Sequence, residues 1–153
     1  MLAEFLAVLL SPVPAVAYSR PLPGAVVQAF EAPPDPYAAG HRGVDLASST
    51  GEAVRTAAAG EVSFSGVLAG RGVVVITHPD GIRTEYEPVA PLVTEHELVT
   101  AGEVIGVVDG VHGKCEPGGC LHWGARRADG TYLDPLTLLP ALGPVRLMPW
   151  EDG

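Results

Sequence analysis

The chain has 153 residues, a length that predicts one domain with one real hydrophobic core. Eighteen acidic residues against nine basic ones give a formal net charge of −9, and the basic residues form no cluster. This balance argues against a nucleic-acid partner and against attachment to an anionic membrane surface.

An apolar stretch occupies the N-terminus. Residues 6–17 (LAVLLSPVPAVA) carry no charge and end in Ala15-Val16-Ala17, the small residues that a signal peptidase site requires. The stretch is shorter than the roughly 20 apolar residues of a transmembrane helix, so we expect no stable membrane span. We predict a signal peptide over residues 1–17 and a secreted mature chain. Because Glu4 stands where such leaders carry Lys or Arg, the alternatives are a misassigned start codon or an apolar arm packed on the domain.

The rest of the sequence is typical of an all-β domain. Gly and Pro are frequent, and no window sustains the apolar period of a helix. Residues 18–40 are Pro-rich and predict a segment that runs along the surface, with one small strand at 25–30. Further strands are predicted at 44–47, 61–68, 72–78, 82–87, 102–108, 120–127 and 131–133.

The turn Pro79-Asp80-Gly81 joins two of these runs and predicts a hairpin, because Asp-Gly tolerates the positive φ that such turns need. The predicted fold is a twisted, mostly antiparallel sheet of about eight strands in one domain over residues 41–140. A tail over 141–153 follows, and residues 135–142 have room for one short helical turn.

A first polar cluster lies in the sequence GHRGVDLA. His41 and Asp45 are four positions apart, and Gly43 between them would let the loop curl back so that imidazole and carboxylate meet at one ion. Taken alone, this spacing is weak, because a capping or salt-bridge role is the commoner explanation.

A second cluster lies in the sequence CLHWGARR. In a strand, Cys120 and His122 point to one face, while Leu121 and Trp123 point to the opposite face and suit a core. A histidine on the polar face of a strand is more often hydrogen-bonded or solvated than a metal ligand. The two clusters become specific only in combination.

Together they resemble the lysostaphin and LytM-type zinc metallo-endopeptidases, which cleave peptide cross-links in bacterial peptidoglycan. GHRGVDLA resembles the family's His-x-x-x-Asp element, and CLHWGARR stands where the family has His-x-His followed by an aromatic residue. The intervening GEAVRTAAAGEVSFSG, GRGVVVITHPDGIRTEYEPV and LVTAGEVIGVVDG resemble its other strands in the same order, so the likeness covers about residues 36–139. The resemblance implies Zn²⁺ held by His41, Asp45 and His122, in a groove across the sheet.

The sequence departs from this family at both histidines that assist catalysis without binding zinc. Cys120 takes the first position of His-x-His, and Pro88 takes the histidine position of the family's Tyr-x-His-Leu segment. Glu87 is the nearest replacement base, but in the hairpin it should point away from Tyr86 and Pro88, so rescue by Glu87 is not expected. Three further histidines match no family position and are predicted to lie at the surface: His78, His96 and His112.

Cys115 and Cys120 allow three interpretations. The first is a Cys115–Cys120 disulfide that shapes the loop before the ligand strand, as a close cysteine pair in a secreted chain favours. The second is Cys120 as a fourth zinc ligand, which would close the site and make it structural. The third is a free Cys120 thiol beside the metal, acting as a weak base.

We therefore expect a secreted, cell-wall-associated zinc protein that is weak or degenerate as a peptidoglycan endopeptidase. One alternative is an active endopeptidase in which Cys120, Glu87 or water replaces the missing bases. Another is a non-catalytic module that binds peptidoglycan peptides or activates a partner hydrolase. The hairpin series also resembles biotinyl and lipoyl carrier domains, but its turn lacks the lysine that such carriers modify.

Overall fold

The computed structural model of the chain describes residues 12–110, 115 and 119–141, and these residues form two antiparallel sheets. The predicted all-β class is confirmed. The large sheet has the strand order β1-β2-β10-β6-β5-β4-β8, with β11 paired to β10, and the small sheet has the order β3-β9-β7. The strands are β1 Val26–Gln28, β2 Gly43–Ala47, β3 Ala53–Arg55, β4 Gly60–Leu68, β5 Arg71–Thr77, β6 Arg83–Glu87, β7 Val89–Pro91, β8 Leu98–Val99, β9 Val104–Val108, β10 Cys120–Arg126 and β11 Tyr132–Leu133.

The described residues form eleven strands, whereas the sequence predicts about eight, because three short strands do not stand out in the sequence pattern. β3, β7 and β8 span only two or three residues each, too few for alternation to stand out. The predicted hairpin is confirmed: β5 pairs with β6, and Gly81 in its turn has a φ of 86°. The predicted helical turn is a 3-10 helix, Pro135–Leu138, capped by the Asp134 side chain.

The core lies between the two sheets. On the large sheet, alternate residues point inward, so Val44, Tyr86 and Trp123 are fully buried. On the small sheet, Val54 and Ile105 are fully buried in the same hydrophobic cluster. The opposite face of the large sheet carries the polar residues of the same strands, and it is called the metal-bearing face below because it carries Asp45 and His122.

A buried chain of hydrogen bonds runs beneath β6. The amide of Ala57 donates to the Tyr86 hydroxyl at 2.8 Å, and the Tyr86 and Thr84 hydroxyls lie 2.7 Å apart. Thr84 contacts His78 Nε2 at 2.7 Å, and His78 Nδ1 contacts the Ala59 carbonyl at 2.8 Å. Every group is satisfied when His78 is neutral, with Nδ1–H donating to Ala59 and Nε2 accepting from Thr84.

The position of His78 corrects the prediction that it is a surface residue. The side chain is only 2% exposed, although it directly follows β5 and precedes the turn. The ring of Tyr18 packs edge-on against it, and the Tyr18 hydroxyl donates to Asp80 at 2.7 Å. Burial lowers the pKa of His78 below its ordinary 6.5, while the hydrogen bond to Ala59 and the charge of Asp80 oppose the shift.

The predicted leader over residues 1–17 lies mostly outside the described residues. Within the part of the chain that the structure describes, no helix has the length and apolarity needed to cross a membrane.

Acid should destabilise this protein through His78. Its folded pKa is lowered, so below the unfolded value of 6.5 the unfolded chain binds a proton that the folded chain excludes. We expect the free energy of unfolding in urea to fall as the pH is lowered from about 7.5 to about 5. The fall should be smaller in His78→Gln, and because every other titratable residue is the same in the two proteins, the difference isolates His78. Equal pH slopes for the two proteins would show that the buried imidazole is not responsible.

Candidate metal centre

Three potential metal ligands meet on two neighbouring strands at the centre of the large sheet. Asp45 lies on β2 and His122 on β10, and the two are directly opposite each other in the antiparallel register. Cross-strand partners share a face, so the strand pairing itself brings imidazole and carboxylate together. His41 precedes β2 and reaches the same point from its loop, where it forms an isolated bridge with Glu31.

The donor atoms are spaced as a metal ion requires. His41 Nε2 lies 3.1 Å and His122 Nδ1 lies 3.0 Å from the same oxygen, Asp45 Oδ1, and all three ligand atoms lie within 4.8 Å of one another. A tetrahedral zinc ion with bonds of about 2.0–2.1 Å sets neighbouring donors about 3.3–3.4 Å apart. The two separations from Asp45 Oδ1 are within a few tenths of an ångström of that spacing, and the two histidine donors lie within 4.8 Å of each other, so the donor set can close on zinc by small side-chain movements.

The surroundings orient the His41 ring. Its Nδ1 lies 2.8 Å from the carbonyl of Ala29, just after β1, so Nδ1–H donates and the Nε2 lone pair is left for the metal. The side chains of His41 and His122 are each 11% exposed, and that of Asp45 is 1% exposed. The three groups are therefore largely shielded from solvent, and the two imidazoles keep a small exposed fraction.

Two glycines make room for the His122 ring. A Cβ on Gly43 would lie 2.8 Å from the ring's Cε1 and Nε2 and 2.5 Å from the Trp123 carbonyl oxygen. A Cβ on Gly124 would lie 3.6 Å from His122 Nε2 and 3.2 Å from the Arg42 carbonyl oxygen. Because no side chain fits at Gly43 in this register, the glycine in GHRGVDLA has a packing role in addition to the loop flexibility considered above.

Two carboxylates stand beside the three ligands on the metal-bearing face. Glu87 is the cross-strand partner of His122, and Glu85 is the partner of Gly124. Glu87 does point away from buried Tyr86, but this direction puts it on the same face as His122, where Arg71 Nε donates to it at 2.8 Å. Burial raises the pKa of Glu85, although the charges of Arg126 and His122 oppose the shift.

The sequence argument missed Glu85, although a signal was present. The alternation in Thr84-Glu85-Tyr86-Glu87 assigns both acids to one face, and only the register with β10 shows that this is the face of His122. A carboxyl group with a raised pKa beside a metal site is a candidate for proton transfer.

The disulfide interpretation of the cysteines is confirmed. Cys115 and Cys120 are bonded, with Cα atoms 5.5 Å apart, and Cys120 is 1% exposed. The bond occupies the Cys120 sulfur, so the alternatives of a fourth ligand and a free thiol are wrong for this structure. Pro88 follows Glu87 directly and offers no side-chain proton donor or acceptor.

Two further histidines lie apart from this centre. His96 is confirmed as a surface residue, with an 82% exposed side chain 3.5 Å from Glu61, and His78 belongs to the buried chain described above. His112 lies outside the described residues.

Comparison with protein families gives one match over most of the chain. Residues 39–135 match the family described as peptidase family M23. This range contains every residue of the candidate metal centre and both added carboxylates.

Individual relatives agree with this match. A protein of Mycobacterium tuberculosis described only as uncharacterized is 45% identical over 130 residues, which are 83% of this chain and 52% of that protein. The DD-carboxypeptidase/endopeptidase Mpg of Neisseria meningitidis is 35% identical over 99 residues, which are 64% of this chain and 22% of Mpg. The chain thus spans about half of the first relative and less of the second. The catalytic domain of lysostaphin from Staphylococcus simulans has a similar fold, with a TM-score of 0.61 at 21% identity over 74% of this chain and 90% of that domain.

Gly43→Ala should impair metal binding. The added methyl group meets the Trp123 carbonyl and the His122 ring, so it forces apart the strand pair that aligns Asp45 with His122. We expect at least a tenfold loss of zinc affinity, about 1.4 kcal/mol or more, by competition with a chromophoric chelator. Gly66→Ala is the matched control, because its Cβ would meet only Phe64 at 3.6 Å. Equal zinc affinity in both variants, with circular dichroism confirming folding, would contradict the packing argument.

Proposed function

The chain belongs to peptidase family M23, and we propose that it is an exported zinc protein that binds peptidoglycan peptides on its metal-bearing face and hydrolyses their amide bonds slowly at most. The observation that carries this proposal is the convergence of His41, Asp45 and His122 within 4.8 Å, with the ring of His41 fixed by Ala29. Three protein ligands leave the fourth tetrahedral position for water or substrate, which is the arrangement of catalytic rather than structural zinc sites. Zinc bound there supplies the Lewis acidity that activates water and polarises an amide.

The low rate follows from the groups around the ligands. General acid–base assistance contributes about 10²- to 10⁴-fold in enzymes. By resemblance to lysostaphin-type enzymes, Cys120 and Pro88 occupy the positions of the assisting histidines, and here Cys120 is closed in a disulfide. Glu85 and Glu87 are the acids that lie beside His122 on the metal-bearing face, and Glu87 is held by Arg71. Proton transfer therefore depends on carboxylates in place of imidazoles.

Three features support the substrate and the compartment. The Neisseria relative bears the name of a peptidase that acts as a DD-carboxypeptidase and an endopeptidase, which supports peptide amides as the bonds addressed. The apolar N-terminal stretch with Ala15-Val16-Ala17 supports export. The Cys115–Cys120 disulfide agrees with an oxidising compartment outside the cytoplasm.

A second candidate function is a non-catalytic module that holds peptidoglycan peptides or activates a partner hydrolase. The observation in its favour is the same disulfide. Cys120 lies two residues before His122 on β10, at the position of an assisting group, and the disulfide prevents its sulfur from acting as one. The two candidates share the zinc site and the ligand, and they differ only in turnover.

Zinc content and turnover test the proposal together. We expect about one equivalent of zinc in the wild type by elemental analysis and little in His122→Ala. On purified peptidoglycan, the wild type should release new peptide termini at least about 10²-fold more slowly than the lysostaphin catalytic domain under the same conditions. His96→Ala is the matched control, because this exposed histidine should leave both readouts unchanged.

The outcomes separate the alternatives. A wild-type rate equal to that of the lysostaphin domain would refute the slow-enzyme proposal in favour of an active endopeptidase. Bound zinc with equal release by the wild type and His122→Ala would favour the non-catalytic module. Less than about a tenth of an equivalent of zinc would refute the metal site itself. If a carboxylate assists the reaction, Glu85→Gln or Glu87→Gln will lose the residual turnover while retaining zinc.

A further inference from the structure

The metal-bearing face continues beyond the zinc ligands to a basic end. Along β10, the residues on this face are His122, Gly124 and Arg126, and along β6 they are Glu87, Glu85 and Arg83. Arg126 and Arg83 are direct cross-strand partners at the end farthest from Asp45. The face therefore changes from acidic beside the ligands to basic at its far end.

One carboxylate, Glu85, lies beside this pair of arginines, so the two guanidinium charges are only partly balanced. Like charges directly opposite each other destabilise a strand pair. Arg126 Nε forms a long ion pair with Glu85 Oε1 at 3.8 Å, and Arg83 acts on the same carboxylate through its charge but forms no ion pair with any residue of the described ranges. The chain has only nine basic residues against eighteen acidic ones. Two arginines that face each other therefore form a locally basic site on a protein that is acidic as a whole.

A third arginine, Arg42, lies at the same end, next to the ring of Tyr132. The guanidinium carbons of Arg42 and Arg126 lie 6.0 Å and 5.8 Å from the centre of the Tyr132 ring. Arg42 Nη2 donates to the Pro36 and Ala38 carbonyls at 3.0 Å each. Those two bonds use two of the five N–H groups of the guanidinium, so three are left for a ligand.

A cavity of about 280 Å³ adjoins Tyr132. Its walls combine apolar surface from Pro33 and Pro36 with the Tyr132 ring, the Arg42 side chain and Asp35, whose Oδ1 accepts from the Tyr37 amide. The prolines and the ring suit a small apolar side chain of a ligand, whereas Asp35 balances the charge of Arg42 inside the cavity, so a carboxylate is better placed outside it, at Arg126 and Arg83.

The spacing matches a peptide that lies along the sheet. Arg126 is four residues from His122 on one strand, which is about 13 Å at 3.3 Å per residue. An extended peptide with an amide at the zinc ligands covers that distance in about four residues. We infer that Arg42, Arg83 and Arg126, together with Tyr132, form a subsite that binds a carboxylate of a wall peptide about four residues from the amide at the metal centre. This inference rests on the proposed function, since it assumes that peptides bind on the metal-bearing face.

Two pairs of synthetic peptides of wall-peptide composition test this subsite. The first pair differs only in a C-terminal carboxylate against a carboxamide, and the second only in a side-chain carboxylate against its amide. Calorimetric titration of the zinc-loaded full chain should show about tenfold tighter binding of the acid in one pair, and that pair identifies which carboxylate is bound. Arg83→Gln and Arg126→Gln should each abolish the preference.

Arg127→Gln is the matched control. It makes the same change in net charge at the exposed residue next to Arg126, outside β10, and should retain the preference. Arg83 is exposed, so its variant gives a result even if Arg126→Gln disturbs Tyr132. Equal binding of acid and amide in both pairs, or a preference that survives in both Arg83→Gln and Arg126→Gln, would overturn the subsite.

Sedimentation with purified peptidoglycan separates the two levels of failure. If the wild type binds peptidoglycan and zinc but shows no preference for either acid, the subsite is wrong and the proposed function stands. If zinc is bound but neither peptidoglycan nor any peptide binds, both the subsite and the proposed ligand class are wrong.

Discussion

The register of β10 is the constraint on which the rest of the structure depends. In a single alignment with β2 and β6, it places Trp123 between Val44 and Tyr86 in the core and His122 between Asp45 and Glu87 on the opposite face. A slip of one residue would exchange the two faces, exposing the indole and burying the imidazole. The burial of Trp123 therefore holds the metal centre in alignment, and the stability of the sheet and the geometry of the site have the same cause.

The buried hydrogen bonds beneath β6 extend this constraint to the second partner of β10. Tyr86 accepts directly from the Ala57 amide, and Thr84 is joined through His78 to the Ala59 carbonyl. Ala57 and Ala59 lie on the segment that links β3 of the small sheet to β4 of the large sheet. Each group in a buried polar chain loses solvation, so the chain is stable only with all its partners in place. Glu85 and Glu87 alternate along β6 with Thr84 and Tyr86. Because hydrogen bonds hold Thr84 and Tyr86 in the core, the two acids are held on the metal-bearing face.

The sequence predicted the parts of this protein that depend on local pattern. Alternation in CLHWGARR separated Trp123 from His122, and the spacing of His41 and Asp45 anticipated their approach to one point. The sequence failed where pairing between distant strands decides the outcome. His78 looks like a turn neighbour until the Thr84 hydroxyl is known to face it, and the direction of Glu87 has no meaning until β10 is placed beside β6. Local patterns do not encode which strands become neighbours, and this information was missing both for the burial of His78 and for the place of Glu87 beside His122.

The two ends of the metal-bearing face differ in charge, and membership of the family does not by itself imply this difference. The acids Glu85 and Glu87 flank His122, whereas Arg83 and Arg126 stand at the other end of the same two strands. In a chain of net charge −9, the facing arginines make this end of the metal-bearing face favourable for an anionic peptide. Binding the carboxylate there leaves the uncharged amides of the peptide to pass over the zinc ligands. The face thus sets the orientation of a peptide independently of how fast the metal centre cleaves it, which is why binding and turnover must be measured separately.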